Sequence, residues 1–302
     1  MLSLDDYRRL IELDKPFPEP ASINADEAPR LFDELAAGLL AESPGAGSAL
    51  RPQREDLTRR ELLRALLTMR PPEPPLSRDF HSEMDRLLGY ERRLRGTVGA
   101  ATLPKIADTF PASGFRGARS CVLWQGDITR LGVDAIVNAA NGELLGCFRP
   151  FHACIDNAIH SAAGPRLRED CGSIMRTQGH DEPTGHAKAT RGYNLPARYV
   201  LHTVGPIVNG PLQPGHERAL ASCYRACLDL AAQLDGVRSV AFCAISTGVF
   251  GFPKLPAARI ALDAAATWLR EHAGALDLIV FNVFGDEDRE VYESALRAGT
   301  HE

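Results

Sequence analysis

The feature that most constrains this chain is a change of pattern near residue 118. Before it, apolar residues recur at helical spacing and β-branched residues are sparse. Asp26–Leu40 brings Leu31, Phe32, Leu35, Leu39 and Leu40 to one face, and Arg54–Met69 repeats this with Leu57, Leu62, Leu63, Leu66 and Leu67. Phe80–Arg95 is a third such stretch. Recurrence near 3.6 residues predicts amphipathic helices. Pro71-Pro72-Glu73-Pro74-Pro75 stops the second helix and makes a stiff extended link, because proline lacks an amide and clashes with the preceding turn. After residue 118, short apolar runs alternate with helical patterns. Strands are expected at Cys121–Trp124, Ala135–Asn138, Ala189–Asn194, Arg198–Val204, Ser239–Ile245 and Leu276–Phe284. Helices are expected at Ile155–Leu167, Glu217–Leu234, Leu255–His272 and Asp288–Ala298. Such alternation predicts a three-layer α/β sandwich with a mainly parallel core. We therefore expect a helical unit over residues 1–115 and an α/β unit over residues 116–302.

Charge and cysteine usage narrow the function classes. A formal net charge of -5 removes any global electrostatic case for nucleic-acid binding. No apolar run approaches the length that spans a bilayer. Met1-Leu2-Ser3-Leu4-Asp5-Asp6-Tyr7-Arg8-Arg9 lacks the basic-then-apolar order of a signal peptide, so the cytoplasm is the expected compartment. Thiols stay reduced there. Seven cysteines are an odd count and do not suggest a disulfide scaffold; they are core residues, metal ligands, or both.

Cys147, His152 and Cys154 fall in one short loop. Three protein ligands with a fourth position left open is the arrangement of a catalytic zinc site. The alternative is that the cysteines pack as small apolar residues and the histidine caps a turn. Cys171 is a weaker candidate for a fourth ligand, since it lies beyond a helix. Asp156 follows in the first turn of the expected helix, where a carboxylate complements the helix dipole or, beside a metal, acts as general base. The loop Ser246-Thr247-Gly248-Val249-Phe250-Gly251-Phe252-Pro253 joins a strand to a helix. Its glycines let amides approach a phosphate or diphosphate closely, or make an ordinary turn. In Gln125-Gly126-Asp127-Ile128, Asp127 either accepts from an exocyclic amine or caps the next turn. Phe284 either stacks on a base or belongs to the core. Asn138 and Asn141 bracket a strand end, where they bind ribose hydroxyls or satisfy turn backbone.

Five ordered motifs extend the reading. They are Gln-Gly-Asp-Ile-Thr at 125–129, Val-Asn-Ala-Ala-Asn at 137–141, Ile-His-Ser-Ala-Ala-Gly at 159–164, Leu-His-Thr-Val-Gly-Pro at 201–206 and Ser-Thr-Gly-Val-Phe-Gly-Phe-Pro at 246–253. Together they resemble the macrodomain family, in its MacroD-type branch, over roughly residues 118–298. The glycine-rich stretch that ordinarily follows Asn-Ala-Ala-Asn is replaced here by the Cys/His/Cys loop. That departure, with Arg70-Pro71-Pro72 in a helical extension, resembles the zinc-dependent macrodomains. The resemblance implies a three-layer α/β/α macrodomain with a mixed sheet that binds ADP-ribose. It implies Asp127 at the adenine amine, with Phe284 stacked on that base. Gly248, Val249, Phe250 and Gly251 would hold the diphosphate and Asn141 would bind the distal ribose, with Ile128, Asn138, Ser246 and Thr247 also in the ADP-ribose site. Asp156, with Asn141, would be catalytic, and Cys147, His152 and Cys154 would hold zinc. The implied activity is zinc-dependent release of mono-ADP-ribose from modified proteins, with an ester to Asp or Glu as the expected linkage. Zinc would either activate a water or anchor ribose hydroxyls while Asp156 orients the water. The implied partners are an ADP-ribosylated protein and the ADP-ribose product, with no membrane and no nucleic acid. Two alternatives remain, an ADP-ribose reader and an O-acetyl-ADP-ribose deacetylase.

Overall fold

In the computed structural model of the chain, which describes residues 1–43, 45, 50 and 56–298, the apolar runs after residue 118 become a six-stranded sheet. Its strands are β1 (Cys121–Gln125), β2 (Ala135–Ala140), β3 (Ala187–Arg191), β4 (Tyr199–Val204), β5 (Ser239–Phe242) and β6 (Leu278–Val283). They are ordered β1-β6-β5-β2-β4-β3. Neighbours are parallel except β3, which runs antiparallel to β4 at one edge. Every residue of β4 and of β6 is buried, so both faces of the sheet are covered. Burial on both faces is what helical crossovers produce.

The helices are α1 (Glu27–Glu42), α2 (Arg59–Met69), α3 (Arg78–Arg95), α4 (Ile155–Ala163), α5 (Pro165–Gln178), α6 (Pro214–Ala232), α7 (Lys254–Glu271) and α8 (Asp286–Arg297). Short helical turns lie at Leu4–Tyr7 and Ile106–Thr109. In the α/β part, α4 packs on β2, α5 on β3, α6 on β3 and β4, α7 between α6 and α8, and α8 on β1. Among the described residues no helix is long and apolar enough to cross a membrane. The seven cysteines form no disulfide.

Most boundaries shift by one to three residues, and three of the differences have a clear local cause. The helix expected over Ile155–Leu167 is two helices. Gly164, at φ 97°, separates them, and Pro165 opens α5. Only glycine adopts that φ freely, and proline suits the first position of a new helix. A Cβ on Gly164 would lie 2.7 Å from Leu88 Cδ1, so α3 also presses on this junction. The strand expected over Ala189–Asn194 ends at Arg191, because the Gly192 amide turns back to the Arg198 carbonyl at 2.6 Å. The helix expected from Arg54 starts at Arg59. Thr58 caps it, accepting from the Glu61 amide in a capping box. Arg54 and Glu55 lie outside the described residues.

The buried apolar residues form two main clusters. The smaller unites α1, α2 and α3 through Leu31, Leu35, Leu63, Leu66, Met84 and Leu87. The larger surrounds the sheet and takes in Leu4, Tyr7, Ile11 and Leu13 from the start of the chain. Tyr7 Oη accepts the Ala189 amide at 2.8 Å, occupying a donor of the edge strand β3. We propose the division near residue 115 on the composition, with Leu4–Leu13 docked onto the α/β unit.

Candidate active site

Because β1, β2, β5 and β6 are mutually parallel, the loops leaving their C-terminal ends gather on one edge of the sheet, the position where open α/β sheets bind ligands. The loop after β2 is tightly folded. The Asn141 carbonyl accepts the Leu144 amide at 3.1 Å, and its Nδ2 donates to the Gly146 carbonyl at 3.2 Å. Gly146 has φ 81°, and a Cβ there would meet the His160 ring at 3.0 Å, so the loop lies directly against α4.

Beyond Gly146 the three candidate ligands converge. One donor atom from each of Cys147, His152 and Cys154 lies within 4.8 Å of the others. Cys147 Sγ and His152 Nδ1 are 3.5 Å apart. All three residues are half-buried. Cys154 is the N-cap of α4, where its Sγ accepts the Asn157 amide at 3.4 Å. Burial pushes the Cys154 thiol up to about 11, and nearby Cys147 and Asp156 add to the effect. Crowded sulfur and carboxylate groups of this kind are what a bound cation relieves. Two thiols and an imidazole are donors that fit zinc. Cys171 lies apart from them. It is buried on α5 in a group with His160 and His202, its Sγ 3.8 Å from His202 Nε2.

Asp156, in the first turn of α4, is buried rather than exposed. Asn138 Nδ2 donates to Asp156 Oδ1 at 2.8 Å and contacts His202 Nδ1 at 3.1 Å. His202 Nε2 lies 2.9 Å from Thr190 Oγ1. Since the amide must donate, His202 accepts at Nδ1 and carries its proton on Nε2. Burial pushes the Asp156 carboxyl up to about 6, opposed by the Asn138 hydrogen bond and the Arg168 charge. His160 Nε2 lies 3.4 Å from Asp156 Oδ1. The contact is not an ion pair, because burial and the Arg168 charge hold His160 far below the usual imidazole range, hence neutral. The two asparagines therefore differ. Asn138 is fully buried and occupied in holding Asp156, while Asn141 stays partly accessible at the loop's base.

The loop after β5 offers unused donors. Ser246 adopts φ 64°, and Phe252 donates its amide to the Ser246 carbonyl at 2.9 Å. Gly251 donates to the Gly248 carbonyl at 3.0 Å, and Val208 to the Phe250 carbonyl at 2.8 Å. Among the described residues, the amides of Gly248, Val249 and Phe250 make no hydrogen bond to a protein acceptor. Three successive free amides form an anion cradle. Thr247 Oγ1 donates to the Ala244 carbonyl, and Val249 is exposed. At the far end Phe284, just past β6, is 78% exposed. One Asp127 oxygen caps Thr129, accepting from its amide at 2.9 Å and its hydroxyl at 2.7 Å; the other lies 3.9 Å from Arg95 Nη1. Ile128 turns its side chain into the core.

The family model for the macro domain matches residues 137–261. A protein from Treponema medium named protein-ADP-ribose hydrolase is 46% identical over 267 residues, covering 88% of this chain and 97% of its own length. The chain belongs to the macrodomain family. A protein-ADP-ribose hydrolase of Staphylococcus aureus strain Mu50 is 44% identical over 237 residues, spanning 78% of this macrodomain chain and 84% of that protein. The crystal structure of the Trypanosoma brucei macrodomain in complex with ADP-ribose superposes with a TM-score of 0.59 at 35% identity, covering 77% of this chain and 94% of that one.

Four residues of the macrodomain site escape the sequence reading. His202 was legible as a strand residue and as part of the motif at 201–206 but was given no role, yet it is the register partner of Asn138 across β2 and β4. His160, four residues beyond Asp156 on one helix face, carried a spacing signal. Asn157 and Arg168 carried none, because their partners are backbone carbonyls, those of the adjoining loop for Asn157 and of a segment about a hundred residues away for Arg168.

Proposed function

We propose that this macrodomain is a zinc-dependent protein-ADP-ribose hydrolase that releases mono-ADP-ribose from aspartate or glutamate side chains. The observation that carries the reading is the convergence of Cys147, His152 and Cys154 in the loop that leads directly into Asp156. The names of the Treponema medium and Staphylococcus aureus relatives support the activity. Asp127 would recognise the adenine, with Phe284 stacked on it. The free amides from Gly248 to Phe250, flanked by Ser246, Thr247 and Gly251, would hold the diphosphate. Asn141 would bind the distal ribose. Zinc on Cys147, His152 and Cys154 would supply Lewis-acid stabilisation to charge developing on oxygen beside that ribose. Asp156, held by Asn138, would orient a water and accept its proton, a role suited to a carboxyl whose pKa has been raised toward neutrality.

The test is a panel of mono-ADP-ribosylated proteins of defined linkage. Release from Asp- and Glu-linked substrates, with Ser- and Arg-linked ones left intact, is the expected result. Release confined to Ser- or Arg-linked protein would overturn the ester assignment. Tight ADP-ribose binding without release from any substrate would make the chain a reader.

A further inference from the structure

The C-terminal end of α2 leaves backbone carbonyls without helical partners, as every helix end does. Arg168, on α5, donates to three carbonyls at this end, of which that of Leu67 also accepts the Arg70 amide at 3.3 Å and that of Arg70 belongs to the capping residue. Its Nη1 donates to the carbonyls of Leu67 at 2.8 Å, Thr68 at 3.0 Å and Arg70 at 2.7 Å. A buried cation at a helix C-terminus is favourable because the carbonyl dipoles point at it. The same guanidinium lies over the Phe148 ring, with Cζ 4.6 Å from the ring centroid. Phe148 is the residue after Cys147, so Arg168 sits between the end of α2 and the start of the ligand loop.

A second bridge runs beside the first. Thr68 Oγ1 lies 3.3 Å from Asn157 Oδ1, sharing its proton with the Arg64 carbonyl at 2.7 Å. Asn157 Nδ2 donates in turn to the loop carbonyls of Arg149 at 3.3 Å and His152 at 3.1 Å, and its amide donates to Cys154 Sγ. Asn157 thus touches the loop at three points while facing α2. The seam between the units encloses a cavity of about 40 Å³ beside Arg64, Thr68, Asn157 and Arg168 and is tight around it. A Cβ on Gly172 would lie 2.9 Å from Pro72 Cβ. Glu169 accepts from the Leu76 amide at 3.0 Å and contacts His81 Nε2 at 2.9 Å, and Asp85 joins Arg166 at 2.9 Å to Asn194 at 2.8 Å.

We propose that the N-terminal helical unit fixes the shape of the Cys147–Cys154 loop, with Arg168 and Asn157 as positioning residues that tie the C-terminal end of α2 to that loop. The consequence for catalysis rests on the hydrolase reading above; the mechanical coupling does not. Displacing the end of α2 frees Phe148 and the Arg149 and His152 carbonyls, and with them the three ligand side chains. The cradle at Gly248–Phe250 and the Phe284 ring are untouched.

The test uses the full chain with Arg168→Lys, which keeps the charge but loses the planar fork and its stacking. Amide hydrogen exchange over residues 147–154 is expected to quicken by about 10-fold or more while that of β2 stays unchanged, since local opening reports local contacts. The kcat for ADP-ribose release is expected to fall by about 10–100-fold, with affinity for free ADP-ribose within about threefold, because misplacement at the reacting end costs rate rather than distal binding. Thr68→Val and Phe148→Leu should move the same loop amides to a smaller degree, and they carry the test if Arg168→Lys fails to fold. Unchanged loop exchange in the folded variants would overturn the proposal. If the wild-type chain releases no ADP-ribose, the exchange result still decides the coupling, so the two readings fail separately.

Discussion

Asp156→Ala is expected to slow ADP-ribose release by about 10²–10⁴-fold while leaving affinity for free ADP-ribose within a few fold, the range that loss of a positioned general base produces. The carboxyl is buried, receives the Asn138 amide and faces a neutral histidine. It is thus held in one orientation at the end of the loop that bears the three candidate ligands. Phe284→Ala should do the opposite. An exposed ring past β6 has no packing role to lose, and losing a base-stacking partner costs about 1–3 kcal/mol of affinity. At saturating substrate its kcat should be unchanged. Single-turnover release and ADP-ribose titration on the two variants separate these outcomes. A reader would lose affinity with Phe284→Ala and show no defect with Asp156→Ala, which would contradict the hydrolase reading.

Lys188→Met is expected to destabilise the fold by about 3–5 kcal/mol, because it strands a charge in the interior. Lys188 Nζ lies 2.8 and 2.7 Å from the two Glu182 carboxylate oxygens, and both side chains are almost wholly inaccessible. Gln178 Nε2 donates to Glu182 Oε2 at 2.9 Å, and the Glu182 amide donates to the Gly142 carbonyl at 2.8 Å. The pair therefore braces the turn that follows Asn141, so the loss should also reach the site. Adding Glu182→Met removes the stranded carboxylate and should recover most of the stability, as apolar replacement of a whole buried pair often does. Urea unfolding of the single and double variants measures both effects. Equal stability of Lys188→Met and wild type would mean that Glu182 finds other solvation.

The alternation of apolar runs and amphipathic patterns carried the sheet and its covering helices, since strands buried on both faces leave a dense apolar record. It missed the break at Gly164, where one glycine followed by proline is ambiguous until α3 is known to press on it. The candidate ligands of the loop stood out because Cys147, His152 and Cys154 are close in sequence and chemically distinctive. The support beneath them was not. Asn138, read as a ribose ligand, is enclosed between Asp156 and His202, a fact set by strand register rather than by residue type. The bond from Arg168 to the end of α2 spans about a hundred residues and ends on carbonyls, which every sequence has.

The claim that the Cys147–Cys154 loop is a working metal centre is tested most directly by metal analysis and ADP-ribose release on the same preparations of wild type and Cys154→Ala. Stoichiometric zinc with release in the wild type, and loss of both in Cys154→Ala with ADP-ribose affinity retained, is the predicted result. Full release by zinc-free Cys154→Ala protein would contradict it.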